Sequence, residues 1–315
     1  MEEQEPQQTG NPTKPEGLLY HYTDQNGLDG ILSSDCIWAT HYRFLNDLTE
    51  RKIGFDIYHR ALEKVLNSKQ RSLPGSIDVW KKILSNYFEA SEAYTVSFSR
   101  DRDNEMPGQA GDRLSQWRGY TSGRQGYCMG FRRRSIDEIA NILPDALHLA
   151  GFLADCNYST ETMTNKIESS TREHFDNILT IKDDYFMKHP LDTSYRPYDD
   201  RDVSTDIRKF AGDMLLQCSI FKHSGFEEEN GTRLIVIFVN GVSNCDLIEY
   251  RPGHIVQTPY IRIPIGIRQD SSMSRIVIGP SANQEQTVAI LRVRLLQMGL
   301  PDVEVVPSKI PYRNW

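Results

Sequence analysis

The sequence predicts an α+β fold, with a mixed, largely antiparallel sheet and with helices clustered in the middle of the chain. Strand-like runs of β-branched and aromatic residues lie towards both ends. Apolar residues at helical spacing dominate between about residues 135 and 220. No internal repeat and no regular βαβ alternation is present, which argues against a doubly wound parallel sheet. We therefore predict a single domain over residues 18–315, with a helical insertion around residues 135–220.

Composition limits the classes of protein to consider. The 315 residues carry a net charge of −7, so the whole surface is not built to bind nucleic acid. No apolar run approaches the roughly 18 residues of a membrane span, so no membrane partner is expected. The five cysteines are scattered without any Cys-x-x-Cys pair, which favours reduced thiols in the cytoplasm over structural zinc. Residues 1–17 are polar and are expected to form a disordered tail.

The first half of the ordered chain alternates strand and helix signals. A strand around Tyr20 is followed by an amphipathic turn of helix and a second strand, Ile37–Thr40. Helical spacing then predicts a helix from near Thr49 and another from Ile77. The next predicted elements are a loop over 68–75, strands over 93–99 and 126–131, and between those strands a short helix or turn over 114–120.

The second half begins with helices and ends with strands. Helices are expected over 135–149 and 163–188, then a loop over 190–201, then a helix capped by Ser204 or Thr205. Strands follow over 233–239, around 261–265, and over 276–278 and 303–306. Ser281 and Gln284 fit a capping box for a last helix that stops at Gly299.

His21 is the first candidate functional residue. It stands alone in the apolar segment Tyr20-His21-Tyr22-Thr23, just before the turn of helix. An imidazole offers one donor and one acceptor, which suits a vicinal sugar diol. The other interpretation is a hydrogen-bonded core histidine.

Four further polar groups interrupt otherwise structural segments, and two of them also have an ordinary interpretation. Ser97 and Ser99 would share one face of a strand. Asn46 and Asp47 can equally cap a helix. The run Glu227–Glu229 can equally be solvated surface. The remaining candidates in these groups are Glu50, Trp117, Arg118, Tyr120 and Arg233.

Taken in order, these motifs resemble an uncharacterised bacterial domain family that is often found near defence genes. The matching motifs are Tyr-His-Tyr-Thr, Phe-x-Asn-Asp-x-x-Glu, Ser-Phe-Ser, Leu-Ser-x-Trp-Arg-x-Tyr and the segment from Lys222 to Arg233, and the C-terminal segment 308–313 is also similar. The His21 motif further resembles the first motif of the ADP-ribosyltransferase superfamily. This second resemblance implies an ADP-ribosyltransferase-like core.

The resemblance implies that NAD is a substrate and that no metal is needed. His21 would hold the ribose hydroxyls, Tyr22 or Tyr42 would supply a ring for nicotinamide, and Glu229 would be the catalytic carboxylate. Arg118 would pair with the pyrophosphate. Further contacts to NAD would come from Thr23, Asn46, Asp47, Ser97, Ser99, Trp117, Tyr120 and Arg233. The acceptor would be a nucleic acid or a protein. The protein would act in phage defence or as a toxin, and a cognate antitoxin or another defence protein would be its partner.

The chain departs from the family pattern at one position that matters for catalysis. Where the pattern has Glu-x-Glu-x-Arg, Gly231 replaces the second acid. Either Glu229 takes over, or Asp47 or Glu50 acts from across the cleft, or activity is lost. Two other functions stay open: a non-catalytic module that binds a nucleotide or nucleic acid, and a nuclease with Mg²⁺ held by carboxylates. The chain has no nucleophile elbow, no His-Glu-x-x-His and no phosphate-binding glycine loop.

Overall fold

The fold is described from a computed structural model. The residues it describes are 17–45, 48–69, 77–121, 125–142, 149–188, 201–238, 245–253, 256–269 and 271–311. Most of the predicted polar tail and of the predicted loops over 68–75 and 190–201 lies outside these ranges.

Strands and helices form in both halves of the chain. The strands are β1 (Leu18–Asp24), β2 (Cys36–His41), β3 (Glu92–Arg100), β4 (Gly126–Arg132), β5 (Leu149–Asp155), β6 (Gly231–Phe238), β7 (Glu249–Arg251), β8 (Thr258–Pro264), β9 (Met273–Ile278) and β10 (Glu304–Pro307). The α-helices are α1 (Gln25–Ser34), α2 (Leu48–Lys69), α3 (Ile77–Glu89), α4 (Leu114–Tyr120), α5 (Arg133–Ile142), α6 (Thr160–Lys188), α7 (Arg201–Ile220) and α8 (Gln284–Gln297).

The strands join in one branched sheet. The main order is β10-β9-β4-β1-β3-β2-β8-β7, while β6 pairs with β3 and β5 pairs with β6. Within the described residues β9 and β10 pair in parallel and all other ladders are antiparallel. The prediction of an α+β fold with a mixed, largely antiparallel sheet and helices in the middle is therefore confirmed.

The sheet forks along one edge of β3. The first residues of β1 pair with the end of β3, with Tyr20 opposite Ser99. The last residues of β2 pair with the beginning of β3, with Thr40 opposite Thr95. Neither ladder includes residues 96–98 on this edge, whereas β6 pairs with all of 92–99 on the other edge. The fork leaves β3 backbone groups available to side chains, and His21 is the first residue of β1 beyond the pairing.

Hydrophobic cores on both faces hold this sheet. On one face α1, α5 and α8 pack on alternate strand residues such as Val96 and Phe98. On the opposite face α2, α3, α6 and α7 pack on Ile235 and Ile237 of β6. The short helix α4 covers Tyr20 and Tyr22 of β1 on that second face. The helices predicted from Thr49 and Ile77 are thus confirmed as α2 and α3, whose apolar stripes meet α6 and α7.

Three details of the sequence interpretation are wrong. Leu149 begins β5, not the end of a helix, because this short segment is drawn into an antiparallel ladder with the fully buried β6. Helix α7 begins at Arg201, so the predicted caps Ser204 and Thr205 lie inside it. The predicted capping box does not form.

At the start of α8 the residue before the helix is Asn283, and Gln284 serves another purpose. Its side-chain amide donates to the carbonyl oxygens of Ile278, Gly279 and Ser308, at 3.3, 3.1 and 3.4 Å. It therefore ties the helix start to the loops that follow β9 and β10. The predicted stop at Gly299 is confirmed, since Gly299 has φ of 75° just after the helix. Among the helices that the structure describes, none has the length and apolarity needed to cross a membrane.

Candidate functional site

His21 lies in the fork of the sheet and is held in one tautomer. Its Nδ1 lies 3.0 Å from the carbonyl oxygen of Ser97, in the stretch of β3 that neither β1 nor β2 covers. A carbonyl oxygen only accepts, so Nδ1 carries the proton and Nε2 is left as an acceptor. Burial lowers the pKa of His21, the bond to Ser97 opposes that shift, and Arg251 lowers the pKa further. His21 is therefore a neutral imidazole with an accepting nitrogen.

Polar residues of β3 and β6 share the sheet face on which α4 lies. Directly opposite residues of an antiparallel pair point to the same side. Ser97 is opposite Arg233, and Ser99 is opposite Gly231. The Ser99 hydroxyl donates to the side-chain oxygen of Gln116 on α4, at 3.4 Å. The predicted pair of serines is thus on one face, and the structure brings Arg233 beside it.

Glu229 is a buried carboxylate at the end of this face, and it differs from its two acidic neighbours. Glu227 and Glu228 are exposed, whereas Glu229 is only 8% exposed. The short 3₁₀ helix Ser224–Glu229 ends at Asn230, which has φ of 45° and whose side chain donates to the carbonyl oxygens of Arg100 and Asp101. This turn carries Glu229 inwards, so the carboxylate is not solvated surface.

Two side chains contact the Glu229 carboxylate. Lys222, itself buried, forms an ion pair with one oxygen. The hydroxyl of Tyr120 donates to the other oxygen at 3.4 Å. Sequence reasoning included Tyr120 and Glu229 but missed Lys222 as a site residue, although Lys222 opens the motif that contains Glu229. Within the described part of the chain, the buried hydroxyls Oγ1 of Thr95 and Oγ of Ser219 have no hydrogen-bond partner.

The aromatic residues Tyr22 and Trp117 hold α4 against β1. Their rings meet edge to face, with centroids 4.7 Å apart. The Tyr22 hydroxyl donates to the carbonyl of Ala110 at 2.6 Å and accepts from the backbone N–H of Arg113 at 3.0 Å. Trp117 donates from Nε1 to Asp112 at 2.8 Å. Burial raises the pKa of Tyr22 well above its ordinary value. In this structure both side chains position α4.

A cleft of about 480 Å³ lined mostly by charged residues opens beside Glu228, the exposed neighbour of Glu229. Its lining residues are Arg102, Glu105, Arg113, Leu114, Ser115, Arg118 and Glu228. Arg113 forms an ion pair with Glu105 and donates to the carbonyl oxygens of Glu228 and Glu229, which fixes the turn that carries Glu229. The predicted phosphate ligand Arg118 is exposed and lines this cleft.

The structure places other predicted residues away from this cluster. Tyr42 is buried in the core beneath the helices that cover β6. Thr23 lies on β1 opposite Tyr127, towards β4. Asn46 and Asp47 lie outside the described residues.

At Gly231, where an acid is expected from the sequence, a side chain would be tightly packed against its neighbours. A Cβ there would lie 3.0 Å from Sγ of Cys156 and 3.2 Å from the hydroxyl of Tyr158. The Tyr158 hydroxyl also accepts from the Gly231 backbone N–H at 2.7 Å. Glu229 is the buried acid of this segment.

A neighbouring arginine, Arg251 on β7, was missed in the sequence. Its Nη2 donates to Oγ1 of Thr40 at 3.0 Å, and its guanidinium carbon lies 5.6 Å from the ring centre of Trp38. No local pattern marks Arg251, because only the β2–β8–β7 ladders bring it to the fork.

The comparisons with known proteins give one family match. Residues 116–234, from α4 to β6, match the model of a family described as a protein of unknown function (DUF2971). The matched segment contains Tyr120, Lys222, Glu229 and Arg233 but not His21. The comparison with curated proteins found no match. The comparison with solved structures found none either. This part of the chain therefore fits an uncharacterised domain family, as predicted.

Proposed function

We propose that the protein is an NAD-dependent ADP-ribosyltransferase that modifies a nucleic acid or a protein, in phage defence or as a toxin. The observation that carries the proposal is His21, a neutral imidazole whose accepting nitrogen is held in the fork of the sheet by the Ser97 carbonyl. Under this proposal the protein acts in the cytoplasm. Its partners are NAD, the acceptor, and a cognate antitoxin or defence partner.

The site residues fit the requirements of this substrate. Nε2 of His21 can accept from a ribose hydroxyl, which is a bond that a protonated imidazole could not make. Glu229 belongs to the turn that leads into β6, while His21 is on the other edge of β3. By the alternation of β1, His21 lies on the face of Phe98, whose ring it meets edge to face with centroids 5.9 Å apart, whereas Ser97, Ser99 and Glu229 belong to the other face. Under this proposal the substrate would reach both His21 and Glu229 through the fork between β1 and β2.

The chemistry requires few groups. The bond between C1′ of the ribose and the nicotinamide nitrogen breaks, and its electron pair neutralises the pyridinium charge. An oxygen or nitrogen of the acceptor forms the new bond to C1′ and releases its proton; water in that role would give NAD hydrolysis. Glu229 would stabilise the positive charge that develops on the ribose, and electrostatic stabilisation of this kind is typically worth about 10²–10³ in rate. Tyr120 and Lys222 would position the carboxylate.

A second function, nucleotide binding without catalysis, has its own supporting observation. The buried ion pair with Lys222 compensates the charge of Glu229, and Gly231 supplies no second acid. A cleft of this kind would bind the ligand and leave it intact. Turnover distinguishes the two functions.

The test is release of nicotinamide from NAD, with lysate protein and total nucleic acid supplied as acceptors. The transferase predicts release together with a mass increase in one acceptor fraction. His21→Ala should abolish release, and Glu229→Gln should reduce it at least about a hundredfold while NAD still binds. His59→Ala is the matched control, because His59 is an exposed histidine on α2.

Two results decide against the transferase. NAD binding that depends on His21, without nicotinamide release under any condition, would establish the binding module. Release that requires a divalent cation and persists in His21→Ala would contradict both functions.

A further inference from the structure

Among the residues that the structure describes, no carboxylate compensates the charge of Arg251. It is half-buried on β7, and within the described ranges no carboxylate lies at ion-pair distance from its guanidinium. Its hydrogen bond goes to the neutral hydroxyl of Thr40. Burial lowers the pKa of Arg251, which reflects a cation partly removed from water. Such a group is suited to bind an anion, and a guanidinium matches the geometry of a phosphate in particular.

The acid nearest in sequence is already used by other residues. Glu249, two positions before Arg251 on β7, accepts from Arg262 at 2.8 Å and from the Tyr260 hydroxyl at 2.8 Å. Arg262 lies opposite Trp38 in the ladder between β8 and β2. Two arginines therefore lie near Trp38, and Arg262 has a carboxylate partner while Arg251 has none in the part of the chain that the structure describes.

An aromatic surface lies beside Arg251. The indole of Trp38 is 38% exposed and stacks on the ring of Tyr260, with centroids 4.4 Å apart and an angle of 29° between the planes. The stack fixes the orientation of the indole and leaves part of it in contact with solvent. Exposed aromatic rings beside arginines are the surfaces on which nucleobases pack.

The third component of the arrangement is His21. Arg251 lies close enough to His21 to lower the pKa of its imidazole. Thr40, which Arg251 contacts, is opposite Thr95 on β3, two residues from Ser97. A cation that can bind a phosphate, an aromatic surface and an acceptor for a hydroxyl thus lie together at the fork. A nucleotide has one group for each of them.

We propose that Arg251 and Trp38 form a nucleotide subsite, in which Arg251 binds a phosphate and the base packs against the exposed part of Trp38. The sugar of that nucleotide then faces His21, and only this last placement rests on the proposed function. The ligand is a nucleoside phosphate, either one half of NAD or a nucleotide of a nucleic-acid strand.

Isothermal titration calorimetry of the full chain tests the subsite with separate parts of the ligand. The probes are 5′-AMP, adenosine, ribose 5-phosphate, NAD and a short 5′-phosphorylated oligonucleotide. We expect Arg251→Gln to weaken 5′-AMP binding at least about tenfold and to leave adenosine binding unchanged, because only the phosphate contact is lost. Trp38→Ala should weaken both, and Trp38→Phe should retain most of the affinity.

Arg262→Gln is the matched control, since it removes the same charge near the same indole. We expect its affinity for 5′-AMP to stay within about twofold of the unmodified chain. Equal weakening by Arg251→Gln and Arg262→Gln would mean general charge attraction and would overturn the subsite. So would a folded wild-type chain that binds no 5′-AMP. Tighter binding of the oligonucleotide than of NAD identifies a strand as the source of the nucleotide, and the reverse identifies NAD.

The subsite and the catalytic proposal can fail separately. Nicotinamide release with unchanged 5′-AMP affinity in Arg251→Gln refutes the subsite and leaves the transferase in place. Binding that depends on Arg251, without release of nicotinamide, refutes the transferase and supports the subsite.

Discussion

Breaking the ion pair between Lys222 and Glu229 should cost a large part of the stability of the protein. The side chains are 5% and 10% exposed, so both charges are largely removed from water. Removing one partner of a buried pair leaves the other charge uncompensated, at a cost of about 3–5 kcal/mol. Lys222→Met keeps most of the apolar stem and removes the charge. The free energy of unfolding should therefore fall by that amount.

A double-mutant cycle separates the pair from its surroundings. Glu229→Gln and the double variant complete the cycle, and we expect the double variant to lose less than the sum of the single losses, by about 1–3 kcal/mol. Arg134→Gln is the control, because Arg134 and Glu138 form an ion pair whose side chains are 79% and 56% exposed. That variant should lose less than about 1 kcal/mol.

Urea unfolding followed by circular dichroism gives the free energies of unfolding of the wild type, the two single variants and the double variant. The comparison holds if the dependence of the free energy on urea concentration is the same in all four. If Lys222→Met is no more costly than Arg134→Gln, the carboxylate of Glu229 is not desolvated. The reasoning that makes Glu229 a buried catalytic acid would then be refuted.

Three further predictions concern space and protonation. Gly231→Ala should lower the free energy of unfolding by about 1–3 kcal/mol, because its Cβ would lie 3.0 Å from Sγ of Cys156. Adding Cys156→Ala should recover part of this loss, whereas an unchanged stability in Gly231→Ala would show that the neighbouring side chains move aside. Gly151→Ala should lower the melting temperature sharply, since its Cβ would lie 2.2 Å from a carbonyl oxygen of α5. The control Gly30→Ala in α1 has open space around its Cβ and should raise the free energy of unfolding by up to about 1 kcal/mol, so equal shifts of the two variants would contradict the reasoning. Burial lowers the pKa of His21, so the imidazole takes up a proton at higher pH in the unfolded chain than in the folded one. The stability of the wild type should therefore fall as the pH drops below about 6.5. Unfolding at several pH values should show a weaker pH dependence of stability for His21→Asn, and the same dependence in both proteins would refute the shift.

Local sequence patterns determined most of the elements and part of the site. Strand β3 and helices α2 and α3 follow from the spacing of their apolar residues, and the stop at Gly299 follows from glycine's freedom at positive φ. The alternation along β3 correctly placed Ser97 and Ser99 on one face. The motif that ends at Arg233 drew attention to Glu229, which the structure buries just before β6.

Only the tertiary structure decided how these pieces meet. Nothing local to β3 indicates that β1 and β2 share one of its edges and leave Ser97 to bond His21, because the pairing partners of a strand are set by residues far away in the chain. The same holds for Arg251, which reaches the fork through two strand ladders. Short-range spacing fixes which residues form a helix or a strand. The pairing of strands that are distant in sequence fixes which polar groups are buried next to one another. Their shared removal from water decides which of them form a site.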